Sequence, residues 1–358
     1  MSKEVRFLLV FLVILLILLG VGGTIYFVFS SHADSTLNRA NEKYTFGDVE
    51  DIKNGIELYA SLANKKESSK STVVEALYKS AEGYLLLWKK TGEISKLEVA
   101  SVRFKKLISD YPESSYARLA YLQIAHINLL EGNYDTALAD LDVILTKFSD
   151  PKIVSEAYNA KGDVYYAIGD YDNAIYYYSR KENINSEYAM AHKGQAYIKL
   201  GRIEKALDVY EDFLKFYKLS PYTSFVKKSY LTTAYNFAFN QYKQNSYNKA
   251  IEYFQKIIDL FPDNPKVENA YYWIGECYYD QKNYMSAIEA FSNVLENRTS
   301  ASKDPDALLK LGLCYFEQDD FYKALKYFNN IMDNYPNSRL YEKAKSWKAQ
   351  TVREIKYQ

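Results

Sequence analysis

The chain has 358 residues, of which 48% are hydrophobic, with only 14 glycines and 7 prolines. This scarcity of chain breakers argues against a turn-rich all-β fold and favours long helices. Formal net charge is zero, from 45 basic and 45 acidic residues, so the electrostatic footprint of a nucleic-acid-binding protein is missing. Two cysteines, Cys277 and Cys314, are too few for a disulfide framework.

The N-terminal region contains one long apolar segment. Residues 7–29 form a run of 23 residues without a charge, and a helix of that length reaches about 34 Å, enough to cross the hydrocarbon core of a bilayer. Lys3 and Arg6 precede the run, and positive residues stay on the cytoplasmic side. The sequence therefore predicts a cytoplasmic N-terminus (1–6) and a transmembrane signal-anchor helix (7–29).

A cleaved signal peptide is the alternative for this segment, because Ser31-His32-Ala33 satisfies the small-residue cleavage rule. The apolar run is much longer than the usual apolar region of a signal peptide, roughly 7–15 residues, which favours an uncleaved anchor. We therefore predict a single-pass protein of the cytoplasmic (inner) membrane whose remaining chain faces the periplasm or the exterior.

After this segment the sequence repeats with a period of 37 residues. Alanines recur at this spacing at Ala250, Ala287 and Ala324, and phenylalanines at Phe254, Phe291 and Phe328. Self-similarity with a fixed period between about 20 and 50 residues indicates a repeat array.

Four units share one internal pattern, in which a glycine is followed 3, 12 and 16 residues later by a tyrosine, an alanine and an aromatic residue. The four glycines are Gly162, Gly194, Gly275 and Gly312. The glycine and the tyrosine lie on one helical stripe, and the alanine and the second aromatic lie on another. Short turn sequences such as Gly169-Asp170-Tyr171 separate the two stripes, so each unit is predicted to be a helical hairpin.

This spacing resembles the tetratricopeptide repeat (TPR), and the resemblance implies an all-α solenoid of stacked TPR hairpins over residues 30–358. We count seven units, and an eighth at Ala324. The first unit, around Gly55, is degenerate. The second-helix anchors are Gly55, Ala100, Ala137, Ala174, Ala206, Ala250, Ala287 and Ala324. A closing helix is expected at residues 339–355, with charges where a further repeat would stack.

The C-terminal third resembles two bacterial envelope families. Asn269–Glu276, Asp304–Gly312 and Tyr335-Pro-Asn-Ser338 are similar to repeats of the Tol-Pal-associated cell-division coordinator family and of the TPR outer-membrane assembly lipoprotein family. The lipidated cysteine of the lipoproteins and the sustained heptads of the coordinators are both missing here. The resemblance therefore implies an envelope setting and a protein-binding role, but no particular pathway.

Sequence motifs for catalysis or metal binding are missing. The three histidines, His32, His126 and His192, have no metal-ligand spacing, and there is no phosphate-binding loop or nucleophile elbow. Asp170 and Asp172 superficially resemble part of a calcium loop, but an inter-helix turn fits them better. Cys277 and Cys314 are expected to be buried packing thiols. We therefore expect no enzyme activity, no cofactor and no metal site.

The TPR resemblance also implies a concave groove lined by the first helix of each hairpin. Family groove positions lie three residues before the glycine and one, four and five residues after it. They select an aromatic and apolar strip: Tyr235, Phe239, Tyr242, Tyr272, Glu276, Tyr279, Leu309, Leu313 and Phe316. Aromatic residues in a groove are typical anchors for a bound peptide or helix.

The sequence thus predicts a membrane-anchored TPR scaffold that binds a protein or peptide partner in this groove and organises cell-envelope assembly. The alternative is a structural envelope protein that self-associates through its solenoid. Binding of nucleic acid is not expected.

Overall fold

The computed structural model describes residues 41, 48–64, 68–183, 186–296 and 303–357. These residues form α-helices, one short 3₁₀ turn (Lys181–Asn183) and no strand. The predicted cytoplasmic segment 1–6 and the predicted membrane helix 7–29 lie outside the described residues. Within the described ranges, no helix has the length and apolar character needed to cross a bilayer.

Sixteen α-helices follow one another along the described part of the chain. They are α1 (Val49–Asn64), α2 (Lys70–Thr91), α3 (Ser95–Asp110), α4 (Ser115–Leu130), α5 (Tyr134–Lys147), α6 (Pro151–Ile168), α7 (Tyr171–Tyr178), α8 (Glu187–Lys199), α9 (Ile203–Phe216), α10 (Thr223–Lys243), α11 (Tyr247–Leu260), α12 (Lys266–Asp280), α13 (Tyr284–Glu296), α14 (Asp304–Phe316), α15 (Phe321–Asn334) and α16 (Tyr341–Tyr357).

The helices from α2 to α15 form seven successive hairpins, and we call the first helix of each hairpin A and the second B. The predicted second-helix anchors from Ala100 to Ala324 all lie on B helices, and Gly55 lies on α1, which precedes the first of these hairpins. The final helix, α16, begins and ends two residues later than the closing helix predicted at 339–355.

The repeated glycines allow a B-helix ring to lie directly on the backbone of helix A. A Cβ placed on Gly275 would overlap the ring of Phe291, and one on Gly312 would overlap Phe328. Gly162 and Gly194 have the same relation to Tyr178 and Tyr210. The 16-residue offset between glycine and aromatic therefore marks the closest contact inside each hairpin, which explains why a residue that weakens helices recurs there.

Each turn between helix A and helix B contains one residue in the left-handed conformation, which ends helix A. In four of these turns the residue is a glycine: Gly92, Gly132, Gly169 and Gly201. In three later turns it is Asn245, Lys282 or Asp319. Helix B then starts two residues further on, or three residues after Gly92. In two hairpins an aspartate side chain, Asp170 or Asp320, caps it. Asp170 is thus a helix cap.

The contacts divide the chain into two compact units, which we call the N-terminal unit (to Thr223) and the C-terminal unit (from Ser224). The N-terminal unit holds α1 to α9, and the C-terminal unit holds α10 to α16. Each unit is a succession of hairpins whose buried alanines, glycines and aromatics form the core between A and B helices. Both cysteines are free and buried in the C-terminal unit, as expected, and burial raises the pKa of each thiol to about 12.

Candidate protein-binding surface

The nine residues predicted to contact a partner lie on the A helices of the C-terminal unit: three on α10, three on α12 and three on α14. We call this surface the aromatic face. Six of the nine, all aromatic, are partly exposed: Tyr235, Phe239, Tyr242, Tyr272, Tyr279 and Phe316. These rings are thus packed on one side and still accessible to a partner.

The other three predicted residues present little surface. Glu276 is 7% exposed, Leu309 3% and Leu313 7%. The two leucines belong to a core cluster that also contains Phe328 and Ala344, a residue of α16. The last helix covers the position where a partner was expected, so the accessible part of the predicted strip is its aromatic part.

Trp273 is the residue that the groove positions missed. Its ring centroid lies 4.7 Å from that of Phe239 and 5.1 Å from that of Tyr242, both on the preceding A helix. Its Nε1–H donates a hydrogen bond of 2.9 Å to the Tyr235 hydroxyl, and its ring contacts Tyr272 edge-on at 5.6 Å. Trp273 therefore joins the predicted rings of α10 and α12 into one cluster, whose hydroxyl and indole groups are mutually satisfied.

The sequence does contain a signal for this residue. Trp273, Lys310 and Trp347 are 37 residues apart, two positions before the repeat glycine or its equivalent. Each of them packs on the ring found 31 residues earlier in the chain: Trp273 on Tyr242 at 5.1 Å, Lys310 Nζ on Tyr279 at 4.8 Å, and Trp347 on Phe316 at 5.2 Å. One contact is thus repeated between successive A helices, and α16 takes part in it as an A helix without a B partner.

Lysine ammonium groups lie over further rings of the aromatic face. Lys266 Nζ is 4.5 Å from the ring centroid of Tyr235, and Lys303 Nζ is 5.0 Å from that of Tyr272. Lys243 Nζ is 4.9 Å from the Phe239 centroid, on the same helix. A cation over a ring face within about 6 Å is attracted by the ring quadrupole, so these lysines are held close to the aromatic surface.

The carboxylates near these rings are bonded to protein partners. Glu276 Oε2 accepts from Lys310 Nζ at 2.7 Å, and Asp280 accepts from the Tyr242 hydroxyl at 2.9 Å. Burial raises the pKa of the Tyr242 phenol, and its bond to Asp280 raises it further. Burial and the neighbouring Glu276 do the same for the pKa of Tyr272. These phenols therefore stay neutral and act as hydrogen-bond donors around pH 7.

The equivalent A-helix positions of the N-terminal unit carry polar groups. One residue after the small residue lie His126 on α4 and Asp163 on α6, where the C-terminal unit has Phe239 and Glu276. Asp163 Oδ1 accepts hydrogen bonds from the hydroxyls of Tyr178 (2.7 Å) and Tyr188 (2.8 Å). Burial raises the pKa of the Asp163 carboxyl. These groups are engaged in an internal network rather than presented to a partner.

His126 has an equally enclosed environment. Burial, aided by the nearby Lys89 charge, lowers the pKa of its imidazole to about 4, so the ring is neutral near pH 7. Leu122, Leu129 and Leu130 are the other positions of α4 that the family pattern places in a groove. Leu122 and Leu129 pack against the core of the α4–α5 hairpin, and Leu130 is exposed.

The chemistry of the aromatic face suits binding. Among the side chains that the structure describes, no three His, Cys, Asp or Glu residues come together in a way that could hold a metal ion. The aromatic face offers ring surfaces, phenol donors and lysine ammoniums in one strip, which can contact apolar and polar groups of a polypeptide.

Family models match most of the chain. A model described as a tetratricopeptide repeat-like domain matches residues 8–184, almost half of the chain. Two tetratricopeptide repeat models match residues 188–218 and 306–338, and a model for anaphase-promoting complex subunit 3 matches residues 243–302. The 8–184 match begins inside the apolar segment 7–29. No curated protein sequence matches the chain.

Several solved structures are similar at low identity. The C-terminal part of a TPR repeat-containing protein from Cytophaga hutchinsonii is 18% identical, with 76% of this chain and 99% of that chain covered and a TM-score of 0.49. A tetratricopeptide repeat protein from Parabacteroides merdae is 14% identical, with 78% and 98% covered and a TM-score of 0.36. The TPR2AB domain of yeast Sti1, in its pHSP90 complex, is 14% identical, with 76% and 98% covered and a TM-score of 0.33.

None of these TM-scores reaches 0.5, so the assignment depends on the family models and on the repeat itself. The three tetratricopeptide models together cover more than half of the chain. They agree with the glycine–aromatic contact that four of the described hairpins share. The resemblance to the two narrower envelope families stays a prediction. The chain is a tetratricopeptide repeat protein.

Proposed function

We propose that this protein is a membrane-anchored interaction scaffold that binds a segment of a partner protein on the aromatic face of its C-terminal unit, in the assembly or organisation of the cell envelope. The observation that carries the proposal is the continuous cluster of partly exposed rings on successive A helices, joined through Trp273. Tetratricopeptide repeat folds typically act as non-enzymatic interaction scaffolds, and exposed aromatic clusters are typical of binding hot spots.

The membrane part of the proposal depends on the sequence. Residues 7–29 are long and apolar enough to span a bilayer. The match to the repeat-like domain model begins at residue 8, so this segment aligns with the model together with the repeats. Lys3 and Arg6 favour a cytoplasmic N-terminus and an exterior repeat array. Protease accessibility in cells stripped of their outer layers and in fully lysed cells tests this orientation, and digestion of the repeats only after the cytoplasmic membrane is opened would reject it.

Partner binding can be tested by crosslinking intact membranes and identifying the proteins that copurify with the chain. The test variant is Phe239→Ala with Tyr272→Ala, two partly exposed rings of the aromatic face. The matched control is Tyr322→Ala with Met285→Ala on B helices, where the side chains are 74% and 72% exposed. We expect the first pair to reduce copurification at least tenfold, because hot-spot aromatics contribute most of the binding energy.

Two results would contradict the proposal. Equal copurification by both double variants, with thermal unfolding showing that both fold, would place partner binding elsewhere. Recovery of the chain alone, crosslinked to further copies of itself, would favour the self-associating structural protein.

A further inference from the structure

The positive charges of the aromatic face follow the repeat. Lys266 and Lys303 are 37 residues apart, as are the two rings they cover, Tyr235 and Tyr272. Each lysine stands at the start of an A helix, at the first residue of α12 and at the N-cap of α14, and reaches back to the A helix before it. The same lysine–tyrosine pair is therefore presented twice, one repeat apart.

We propose that the aromatic face binds an acidic segment of its partner, with Asp or Glu side chains on the ammonium groups of Lys266 and Lys303. This inference rests on the proposed function and names the chemical class of the partner. It depends on three features of the face: the free donors of the two lysines, the engagement of the nearby carboxylates, and the spacing of the repeats.

The two ammonium groups have unused hydrogen-bonding capacity. An ammonium has three N–H donors, and a ring face attracts the charge without accepting a full hydrogen bond from each donor. Lys266 and Lys303 make no ion pair with a carboxylate among the described residues, whereas Lys310 is bonded to Glu276 at 2.7 Å. Both side chains are partly buried, so a carboxylate reaching them would meet a partly desolvated cation.

Two acidic groups near Tyr272 are paired with cations within the protein. Glu276 is paired with Lys310, and Asp306 is paired with Arg339 at 2.8 Å. Asp280 accepts from Tyr242. Helix α10, which starts the face, contains three lysines and no acidic residue over Thr223–Lys243. Lys266 and Lys303 therefore present positive charge beside Tyr235 and Tyr272, although the whole chain is neutral.

The spacing of the repeats predicts the pattern of the bound segment. Packed helices lie about 8–10 Å apart, and a segment in the polyproline II conformation rises about 3.1 Å per residue with three residues per turn. Carboxylates three residues apart on such a segment point to the same side, about 9 Å apart, and therefore match successive lysine–tyrosine pairs. The residues between them would lie against the rings of Phe239 and Tyr272, which favours apolar or aromatic side chains there.

The test begins with a random peptide library selected on the full-length chain held in a lipid nanodisc. We expect enrichment of peptides with Asp or Glu at every third position and apolar residues between them. An enriched peptide is then synthesised with a fluorescent label, and its affinity is measured by anisotropy. Raising the salt from about 0.1 M to about 1 M should weaken binding, because the screening length falls from about 10 Å to about 3 Å.

A charge-matched pair of variants assigns the effect to the two lysines. Lys266→Gln with Lys303→Gln should lower the affinity for the acidic peptide about tenfold. Lys326→Gln with Lys343→Gln, which removes the same charge from exposed positions of α15 and α16, should leave its affinity unchanged. Thermal unfolding of both variants verifies that the repeats remain folded.

The outcomes separate this inference from the proposed function. Enrichment of neutral or basic peptides whose binding is lost on Phe239→Ala with Tyr272→Ala would reject the acidic class but support partner binding at the face. If both lysine double variants lose affinity for the acidic peptide equally, the loss is due to net charge alone, and the inference is rejected. Failure of the library to yield any peptide for the face would also reject it, while the crosslinking experiment would still decide the proposed function.

Discussion

One repeat position carries different side chains in the two units of this protein. One residue after the small residue of helix A, the N-terminal unit has His126 and Asp163, and the C-terminal unit has Phe239, Glu276 and Leu313. Asp163 is held by two tyrosine hydroxyls, whereas Phe239 contacts other rings and is partly exposed. The repeat specifies where a side chain points, and the residue at that position decides whether the face is an internal polar network or a partly exposed aromatic surface.

The turns between A and B helices differ in the same way. The left-handed position is a glycine at Gly92, Gly132, Gly169 and Gly201 in the N-terminal unit, and it is Asn245, Lys282 or Asp319 in the C-terminal unit. The backbone conformation is the same in both sets, but an L side chain is strained there. The C-terminal unit therefore tolerates conformational strain that the N-terminal unit avoids.

The largest expected effect tests the hairpin contact that the two units share. Phe291→Ala and Tyr178→Ala each remove a buried ring from the glycine of helix A, so each should lower the free energy of unfolding of its unit by about 4 kcal/mol. Tyr178→Phe keeps the ring and should lower the free energy of unfolding by about 1 kcal/mol relative to wild type, because Asp163 loses one hydrogen-bond donor. Urea unfolding combined with local hydrogen exchange measures each unit; a negligible loss at either ring would mean that the contact is not part of the core.

A smaller effect, specific to the N-terminal unit, is expected from pH. The pKa of His126 in the folded state, about 4, is below the ordinary value of 6.5, so the unfolded state binds a proton first as the pH falls. Stability should therefore decrease from pH 6.5 to pH 4, by at most about 3 kcal/mol. The C-terminal unit, monitored by hydrogen exchange, serves as the internal reference.

Glu156 has the opposite effect on stability as the pH falls, so it is replaced before the contribution of His126 is measured. Burial raises the pKa of its carboxyl to about 7, so its protonation stabilises the folded state as the pH falls from 7 to 4.5. The pH titration is therefore made in Glu156→Gln, and His126→Gln in the same background should abolish the slope. Persistence of the slope after His126→Gln would assign it to another group.

The smallest expected effect concerns the turns. Lys282→Gly should raise the stability of the C-terminal unit by about 1 kcal/mol, because glycine adopts the left-handed conformation without strain. Gly169→Lys should lower the stability of the N-terminal unit by a similar amount. Thermal unfolding of both variants measures the difference between the turns. Equal stability of wild type and Lys282→Gly would show that the strain is offset by contacts of the lysine.

The sequence predicted the hairpins well, because their defining contacts are close in the chain. Gly275 and Phe291 are only 16 residues apart, and both lie on strongly periodic helices. The resemblance to the tetratricopeptide repeat selected Tyr235, Phe239 and Tyr272 as groove residues, and their contact with a partner stays a prediction.

Contacts between neighbouring hairpins were decided only by the tertiary structure. Trp273 joins rings of two A helices, α16 covers Leu309 and Leu313, and Lys266 reaches back 31 residues to Tyr235. The repeat period identifies equivalent residues. It does not identify which side chains contact the neighbouring helix, because side-chain size and helix separation determine those contacts. By itself the sequence therefore determined the repeat and the chemistry available at each position, and the packing of one hairpin on the next decided which of those residues remain open to a partner.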